Sequence, residues 1–460
     1  MTMRTLQVLI NGALVGTLRD EDNIWSFQYA ATWLESPSAF QLAPSLPLAT
    51  DWQVDGSSVR PVQWFFDNLL PEELMRQVLA KEVEVESTDA FGMLERMGME
   101  SAGALVLQAE GAPQPEKGMQ PLTWNDLSQR IRNLPRASLN KDAPKRMSLA
   151  GAQHKMVVVY DAKRKDLSEP LKGTPSTHIL KPNSTAEGYP HSVINETFTM
   201  MLAARLGLDV PKVYHLYVPE PVFIISRFDR TPGPDEPARV HALDGIQMLN
   251  EPAYNKYTSA SLPKLKDLIG QCRNRAVARM AVYRWILFNT LVGNSDSHLK
   301  NISFLVDQEG KRVAPFYDLL CTAVYHTRVY SDGDAVWPNE KLATPVAGAT
   351  FFAEVTFEKL LETGMELGLN KVTAAREISK IVSKLDKAAE DIADKLEATM
   401  RDATGPNGTP SRETIGAQSH LLRSIRMIVI ADMLRRVRLP TPASKEPHLT
   451  RWSHTGGEFQ

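Results

Sequence analysis

Three polar residues of the chain have the types and the spacing that phosphoryl transfer needs. Asp296 and Asn301 stand five positions apart in a polar segment, and Asp318 follows 22 positions after Asp296. Transfer from a nucleotide requires a carboxylate that orients and deprotonates the attacking hydroxyl, and an amide plus a second carboxylate that hold magnesium on the phosphates. We therefore interpret Asp296 as the base, and Asn301 and Asp318 as the metal-binding pair.

The elements around these residues strengthen that interpretation. The polar segment begins at Gly293 and lies between a helix-like run, 278–291, and a strand-like run, 302–306. Protein kinases carry an Asp, four residues, an Asn, and then a metal-binding Asp after a hairpin. Asp and Asn alone are common in loops, so the order of the elements matters as much as the residues.

A lysine and a glutamate upstream can complete such a site. Lys181 ends the short apolar run 178–182, from which its side chain can reach the α- and β-phosphates. Glu196 follows in a helix-like apolar pattern, and a helix Glu that pairs with this Lys is the kinase arrangement. The alternatives are an edge-strand lysine that only prevents aggregation and a solvated helix glutamate.

Small residues precede the strand-like run 156–160 and can let the backbone approach phosphates closely. The segment is neither a Walker loop nor G-x-G-x-x-G, and a plain turn before a strand is the alternative. The ATP-binding residues predicted from this half of the site are Leu149, Ala150, Gly151, Ala152, Gln153, Lys155 and Lys181.

A second apolar run ends in a mixed charged cluster, Ser226 to Arg230, which is typical of the hinge of a kinase. There the backbone groups of Ser226 and Phe228 would meet adenine, and Asp229 would meet a ribose hydroxyl. A strand end capped by an Arg–Asp pair is the alternative.

Taken together, these segments resemble the HipA-type toxin kinases, the serine/threonine kinase half of bacterial toxin–antitoxin pairs. The resemblance covers nearly the whole chain. The family often carries an acidic residue where this chain has His154. The segments that carry the resemblance are 148–153, 178–182, 226–230, 293–301 and 316–318, with 65–72 and 103–105 in the N-terminal part.

The resemblance implies an α/β (α+β) fold. This is a protein-kinase-like bilobal core with a mainly helical C-lobe and an N-terminal β-rich accessory domain. It further implies that Gln247 and Tyr317 border adenine, and that His298 contacts the ribose. Tyr317 as a core aromatic and His298 as a structural loop residue are the alternatives.

The resemblance also implies autophosphorylation at Ser148, which lies two positions after Arg146 and close to Lys145. A neutral serine there would lie near the γ-phosphate. A phosphate would add about −1.5 to −2 charges beside the triphosphate. Repulsion would then drive the loop toward the two basic residues and switch the kinase off. A serine that caps the turn is the alternative.

ATP and Mg²⁺ are the implied cofactors. The implied activity is that of a non-specific serine/threonine protein kinase that causes growth arrest and persistence. The family points to an aminoacyl-tRNA synthetase, such as the glutamyl enzyme, as the substrate. It also points to a HipB-like helix-turn-helix antitoxin as the partner that brings the kinase to operator DNA. A small-molecule or lipid kinase and a non-catalytic co-repressor remain alternatives.

The composition fits an enzyme of the cytoplasm. The chain has 460 residues, too many for one compact core, and its net charge of −2 gives no overall attraction to nucleic acid or membrane. Its two cysteines, Cys272 and Cys321, are far apart, which argues against a disulfide framework. The N-terminus lacks an apolar signal-peptide core, and no apolar run approaches the length of a membrane span, so no membrane partner is expected.

The N-terminal part reads as a hairpin at Asn11-Gly12, a strand from Trp25, and helices over 64–78 and 88–97. A linker-like composition at 110–118 marks the first boundary. The predicted parts are an accessory domain, 1–112, an N-lobe-like region, 123–264, a helical C-lobe, 265–438, and a flexible tail, 439–460.

Two basic features receive a default interpretation. The run Arg423 to Arg438 combines an apolar stripe with arginines, and a packed helix with solvated arginines is favoured over contact with DNA phosphates. Lys300 could neutralise the transferred phosphoryl group, but a solvated lysine is the default.

Overall fold

In a computed structural model of the chain, the structure describes residues 3–113, 115–145, 147–149, 153–233, 236–331, 333–402 and 409–438. Four residues of the predicted phosphate-covering region, Arg146, Ala150, Gly151 and Ala152, therefore lie outside the described residues. So does the predicted tail, 439–460.

The N-terminal part is a five-stranded antiparallel sheet in the order β4-β3-β2-β1-β5. The predicted hairpin is confirmed, because Asn11 and Gly12 have φ values of 48° and 84°, the left-handed region that a two-residue turn of this type requires. The strands are β1 Met3–Ile10, β2 Ala13–Glu21, β3 Ile24–Tyr29, β4 Gln53–Val54 and β5 Leu105–Gln108.

The N-terminal part also has four helices, of which the first, second and fourth contact the sheet: α1 Ala31–Leu34, α2 Pro61–Asp67, α3 Glu73–Glu82 and α4 Ala90–Met97. The prediction of one helix over 64–78 is wrong, because the chain leaves helical geometry between α2 and α3. Pro71 lies in that gap, and proline disfavours helix in the residue before it and lacks an amide hydrogen. The break turns residues 68–72 toward the rest of the molecule.

A six-stranded sheet follows, in the order β10-β11-β9-β7-β8-β6. The helix α6 is buried almost all round, which is typical of a helix within a core rather than on a surface. The elements are β6 Met119–Pro121, α5 Trp124–Arg132, β7 Met156–Asp161, β8 Asp166–Pro170, β9 His178–Pro182, α6 Ser192–Arg205, β10 Val213–Tyr217 and β11 Pro221–Ser226.

The remaining part is mainly helical, as predicted, with α9 and β15 on either side of the polar segment. Its helices are α7 Gly245–Leu249, α8 Leu262–Gly270, α9 Arg275–Val292, α10 Phe357–Glu366, α11 Lys371–Arg401, α12 Arg412–Ser424 and α13 Ala431–Val437, with a π-helix Ile425–Ile430 between the last two. Its strands are β12 Arg230–Thr231, β13 Ala238–Arg239, β14 His241–Asp244, β15 Ser303–Asp307, β16 Gly310–Val313, β17 Lys341–Val346 and β18 Ala349–Phe351.

One apolar core runs from the N-terminal sheet through α6 into the helical part, and a smaller core lies under β7 and β8. Polar contacts also attach the N-terminal part to the rest of the chain. The side chain of Asn11 exchanges two hydrogen bonds of 2.9 Å with the backbone of Arg239. A search of the described helices finds no membrane-spanning candidate.

Candidate active site

A cavity of about 600 Å³ opens where the three parts of the chain meet. The N-terminal part contributes Asn68, Glu72 and Gly103 to its wall. Lys181 lies on the wall formed by the six-stranded sheet, and Asp296 on the wall formed by the helical part. The accessory domain is therefore one wall of the site and not an appendage remote from it.

Lys181 links two carboxylates inside this cavity. Its Nζ donates to Oε1 of Glu196 at 2.8 Å and to Oδ1 of Asp318 at 2.7 Å. The lysine comes from β9, which lies between β7 and β11 in the sheet, and the glutamate comes from the buried helix α6. The structure thus forms the Lys–Glu pair, and the alternatives of an edge lysine and a solvated glutamate are wrong.

The charges of this group are mutually dependent. Burial opposes the charge of Lys181, but Asp318 and Glu196 raise its pKa. Burial would raise the pKa of Asp318 too, yet Lys181 lowers it. Burial raises the pKa of Glu196 to about 7, although Lys181 opposes the change. Lys181 and Asp318 are therefore both charged at neutral pH.

Asp318 has an uncommon backbone conformation. Its φ is 57°, in the left-handed region that residues other than glycine rarely adopt. Such conformations persist where the surroundings impose them, and they cluster at functional sites. Here the ion pair with Lys181 holds the carboxylate in the cavity.

The polar segment after α9 begins with a glycine that no other residue could replace without strain. Gly293 caps the helix with φ 70°, and a Cβ on it would lie 2.5 Å from Cγ1 of Val429 in the π-helix. Two hydrogen bonds then shape the loop: the amide of Asp296 donates to Oδ1 of Asn294 at 3.0 Å, and Nδ2 of Asn301 donates to the carbonyl of Asp296 at 2.7 Å.

The carboxylate of Asp296 faces the cavity, and its side chain is 46% exposed. The hydroxyl of Tyr257 donates to its Oδ1, and Nε2 of His298 lies 3.8 Å from the same oxygen. Burial raises the pKa of Asp296, while His298 and Tyr257 lower it. Its Oδ2 accepts no hydrogen bond from the described residues, so it is available to an acceptor hydroxyl.

Asn301 and Asp318 both line the cavity and offer oxygen ligands. The hydrogen bond of Asn301 uses its nitrogen, and that of Asp318 uses Oδ1, which leaves one side-chain oxygen of each without a partner among the described residues. Magnesium prefers oxygen and is bound through one or two carboxylates together with phosphates and water. The two side chains fit such an ion. Within the described ranges there is no cluster of three or more His, Cys, Asp or Glu suited to a metal.

On the predicted adenine side, the rings of Phe228 and Tyr317 stack with their centroids 5.4 Å apart. The hydroxyl of Tyr317 is anchored at 2.8 Å from the carbonyl of Lys300. The amide of Ser226 already donates to the carbonyl of Lys212 at 2.9 Å. An adenine contact at Ser226 would therefore have to use another atom of that residue. The amide of Phe228 donates to no described residue, so it is available as a donor.

Asp229 lies on the cavity wall, but its carboxylate is occupied. It accepts two hydrogen bonds from Arg227, at 2.9 and 2.7 Å, and one from the amide of Gly103 at 2.6 Å. This arrangement favours the Arg–Asp pair over the ribose contact, which stays a prediction. Gln247 also lines the cavity, where its Nε2 donates to the carbonyl of Phe65 at 3.0 Å.

His298 lies beside Asp296, the predicted base. Its Nδ1 accepts the amide of Lys300 at 3.2 Å, which caps the short turn before Asn301. Its ring packs edge-on against Tyr257, with 4.8 Å between centroids. These contacts agree with the alternative of a structural loop residue, and the ribose contact of His298 stays a prediction.

Ser148 is buried and does not line the cavity. Its amide and its hydroxyl donate to the carbonyl of Glu100, at 2.8 and 3.3 Å. Its neighbours Met147 and Leu149 pack into a small apolar cluster with Val157, which draws the segment inward. The expectation of a serine beside the γ-phosphate is not met in this structure.

Lys145, one of the two cations expected near Ser148, has another partner. Nζ of Lys145 is buried in an ion pair with Oε2 of Glu100 at 2.6 Å. Leu149, Gln153 and Lys155 do line the cavity, as predicted. Burial, with the charge of Lys181, lowers the pKa of Lys155 to about 8.

Lys300 is not a solvated lysine. Its Nζ is buried between Oδ1 of Asn68 at 2.8 Å, Oδ2 of Asp244 at 3.0 Å and Oε1 of Glu72 at 3.4 Å. The default interpretation was wrong because Lys300 contacts Asn68 and Glu72 of the accessory domain. These residues are remote in the sequence, so no local pattern indicates the contact. The sequence analysis assigned no role to Tyr257 or Glu72, because their contacts with Asp296 and Lys300 also join residues that are far apart in the sequence.

Two family models match this chain. The model described as the HipA N-terminal domain matches residues 6–108, and the model described as the HipA-like C-terminal domain matches residues 147–393. Residues 109–146, which include β6 and α5, lie between the two matched ranges.

Curated relatives agree with these matches. "Putative kinase Y4mE" of Sinorhizobium fredii is 34% identical over 415 residues, which cover 87% of this chain and 93% of that protein. The serine/threonine-protein kinase toxin HipA of Shewanella oneidensis is 31% identical over 343 residues, which cover 70% of this chain and 76% of that protein.

A solved structure matches almost the whole fold. It is the Shewanella oneidensis toxin–antitoxin complex of HipA, HipB and operator DNA, with a TM-score of 0.73 and 25% identity. The match covers 94% of this chain and 97% of that one. The prediction of a kinase-like bilobal fold with an N-terminal accessory domain is confirmed.

Proposed function

The chain belongs to the HipA family, and we propose on that basis that it is a serine/threonine kinase toxin that uses magnesium ATP. The observation that carries this proposal is the bridge of Lys181 between Glu196 and Asp318, in one cavity with Asp296 and Asn301. These are the groups that phosphoryl transfer requires.

Under this proposal, each of these residues has a distinct role. Lys181 would bind the α- and β-phosphates, while Asn301 and Asp318 would hold the magnesium ion, which neutralises charge on the phosphates. Asp296 accepts the proton of the acceptor hydroxyl as its oxygen bonds to the γ-phosphorus. The bond from that phosphorus to the bridging oxygen breaks, and ADP leaves.

The direct test is transfer of radiolabelled phosphate from ATP by the purified chain, with dialysed lysate of the expression host as the acceptor mixture. We expect label in protein with the wild type and none above background with Lys181→Ala. Equal labelling by both variants would reject the proposed site.

The acceptor is proposed to be a protein, with an aminoacyl-tRNA synthetase such as the glutamyl enzyme as the candidate that family membership suggests. Phosphoproteomics of cells that express the chain would identify it. A complete absence of new protein phosphosites would favour the alternative of a small-molecule or lipid kinase. The intact Lys181, Asp296, Asn301 and Asp318 argue against a non-catalytic co-repressor.

The partner is proposed to be a HipB-like helix-turn-helix antitoxin, which would connect the kinase to operator DNA. Support comes from the matched Shewanella structure, which contains HipA, HipB and operator DNA. The arginines of the last helices give no added support, because Arg435 and Arg436 both pair with Asp432, at 3.2 and 3.0 Å.

Autophosphorylation at Ser148 is also proposed, from family membership. Because Ser148 is buried against the carbonyl of Glu100, the segment 147–149 must leave its apolar cluster before the hydroxyl can react. Intact-mass spectrometry after incubation with magnesium ATP tests this, with Ser148→Ala as the control. An unmodified wild-type chain after long incubation would reject it.

A further inference from the structure

Glu72 of the accessory domain reaches into the cavity with both of its carboxylate oxygens engaged. Oε2 accepts from Nζ of Lys256 at 2.9 Å, and Oε1 lies 3.4 Å from Nζ of Lys300. The side chain is 12% exposed. Burial opposes its ionisation, but the charges of Lys300 and Lys256 lower the pKa of Glu72, so it is a carboxylate at neutral pH.

Each of these lysines is the chain neighbour of a residue that bonds to the proposed base. Lys256 precedes Tyr257, whose hydroxyl donates to Oδ1 of Asp296. Lys300 precedes Asn301, whose side chain donates to the carbonyl of Asp296 at 2.7 Å. One contact fixes the carboxylate, and the other fixes the backbone that carries it.

We propose that Glu72 is a positioning residue, which aims Asp296 at the acceptor hydroxyl through Lys256 and Tyr257. The inference rests on the proposed kinase function of this site. With Oδ1 of Asp296 held by Tyr257, Oδ2 is left for the acceptor. A misplacement of about 1 Å from a remote change can cost roughly 10²-fold in rate.

The same geometry predicts that Glu72 affects transfer and not nucleotide binding. Lys300 keeps its bonds to Asn68 and Asp244 when Glu72 is changed, so the turn that carries Asn301 keeps its anchors. Lys256, in contrast, has only the two glutamates at the start of α3 as ion-pair partners among the described residues.

The neighbouring glutamate supplies a matched control. Glu73 also contacts Lys256, at 3.1 Å, but its side chain is 63% exposed and it makes no contact with Lys300. A surface ion pair of this kind contributes little. Glu72→Gln and Glu73→Gln each remove one charge at adjacent positions of the chain, and both keep the side-chain size.

The experiment measures kcat and KM for ATP in the radiolabel transfer assay, with dialysed host lysate as acceptor. It also measures binding of a non-hydrolysable magnesium ATP analogue by titration calorimetry. For Glu72→Gln we expect kcat to fall roughly 10- to 100-fold, with analogue affinity within about twofold of wild type. Glu73→Gln should match wild type in both.

Tyr257→Phe removes one oxygen from a side chain that is 45% exposed, and it tests the route if Glu72→Gln does not fold. It should show the same loss of kcat. The double variant should lose no more than either single variant, because both act through one contact.

Four results would overturn the inference in an enzyme whose wild type transfers phosphate. These are a wild-type kcat in folded Glu72→Gln, a wild-type kcat in Tyr257→Phe, additive losses in the double variant, and a fall in analogue affinity as large as the fall in kcat. A wild-type chain that transfers no phosphate would instead defeat the proposed function, and the inference with it.

Discussion

At the scale of single residues, Lys181 and Asp296 belong to two separate groups of contacts. Lys181 bonds to Asp318 and Glu196, whereas Asp296 bonds to Tyr257 and takes no part in that group. Changes at the two aspartates should therefore have different consequences.

Asp296→Asn should cut phosphoryl transfer by roughly 10²–10⁴-fold, the usual contribution of a positioned base. The amide oxygen can still accept from Tyr257, so folding and ATP binding should stay near wild type. Asp318→Ala is the contrasting variant and should lose magnesium-dependent nucleotide binding. Transfer assays and nucleotide titrations of both variants check this, and a wild-type transfer rate in Asp296→Asn would show that the base is another group.

Sequence reasoning placed together residues that are close to one another in the chain, because a short segment limits how far apart they can lie. Asp296, Asn301 and Asp318 belong to one loop and one hairpin, so their common position follows from local structure. The burial of Ser148 and of Lys300 was not predicted, because their environment depends on Glu100 and Glu72, which are remote in the chain. Burial of that kind is a property of tertiary packing, and no local pattern records it.

At the scale of elements, the loop that carries Asp296 begins at a close contact between the end of α9 and the π-helix. Gly293 has both a left-handed backbone and a close neighbour in Val429. Gly293→Ala should cost about 1–2 kcal/mol for the backbone and about 1–3 kcal/mol for overpacking. It should also lower kcat by moving the loop that starts there.

Chemical denaturation of Gly293→Ala, with and without Val429→Ala, measures the part of the cost that the contact with Val429 causes. The substitution at Gly293 should destabilise less in the Val429→Ala background, because the overlap with Cγ1 of Val429 is relieved, while the backbone cost and the 2.9 Å approach to Cβ of Ala323 remain. An equal cost in both backgrounds would mean that the contact with Val429 is unimportant.

Elements with strong local signals were predicted best. The hairpin at Asn11-Gly12 and the helix that became α9 have turn residues and apolar periodicity of their own. The break between α2 and α3 was missed because apolar residues continue through it, although Pro71 was a signal against a single helix. The last helices carry arginines that pair with Asp432, in agreement with the favoured interpretation of a packed helix.

At the scale of the whole molecule, one histidine joins the accessory domain to the helical part. His241 of β14 is buried, its Nε2 contacts the carbonyl of Leu42 at 2.8 Å, and its ring stacks on Phe40 at 5.7 Å. Its Nδ1 is buried without a partner among the described residues. Burial lowers the pKa of His241 from 6.5 to about 4.

Acid should therefore weaken this junction. Because the folded-state pKa lies below the unfolded one, the unfolded chain binds the proton first, and stability is lost as pH falls from 6.5 toward 4. His241 alone should cost about 2 kcal/mol of unfolding free energy between pH 7 and pH 5. His241→Phe should lower stability at pH 7 but remove that part of the acid dependence.

Denaturation curves at both pH values measure the effect, and the exposed His420→Gln serves as the control. An acid dependence that is the same in wild type and His241→Phe would contradict the assignment.

Expression of the wild-type chain should arrest growth, and co-expression of its antitoxin should relieve the arrest. Growth curves should show no arrest with Asp296→Asn, because the fold is kept and transfer is lost. Immunoblots must show equal amounts of both chains. Equal inhibition by wild type and variant would mean that toxicity does not require phosphoryl transfer.

The wall that the accessory domain contributes to the cavity also matters for inhibitor selectivity. A compound that fills only the space beside Phe228 and Lys181 meets groups that any kinase of two lobes can offer. Extended toward Gly103 and Glu72, it would also contact the wall that the N-terminal part of the chain contributes. Selective chemistry against this chain should therefore be aimed at that wall and not at the predicted adenine subsite.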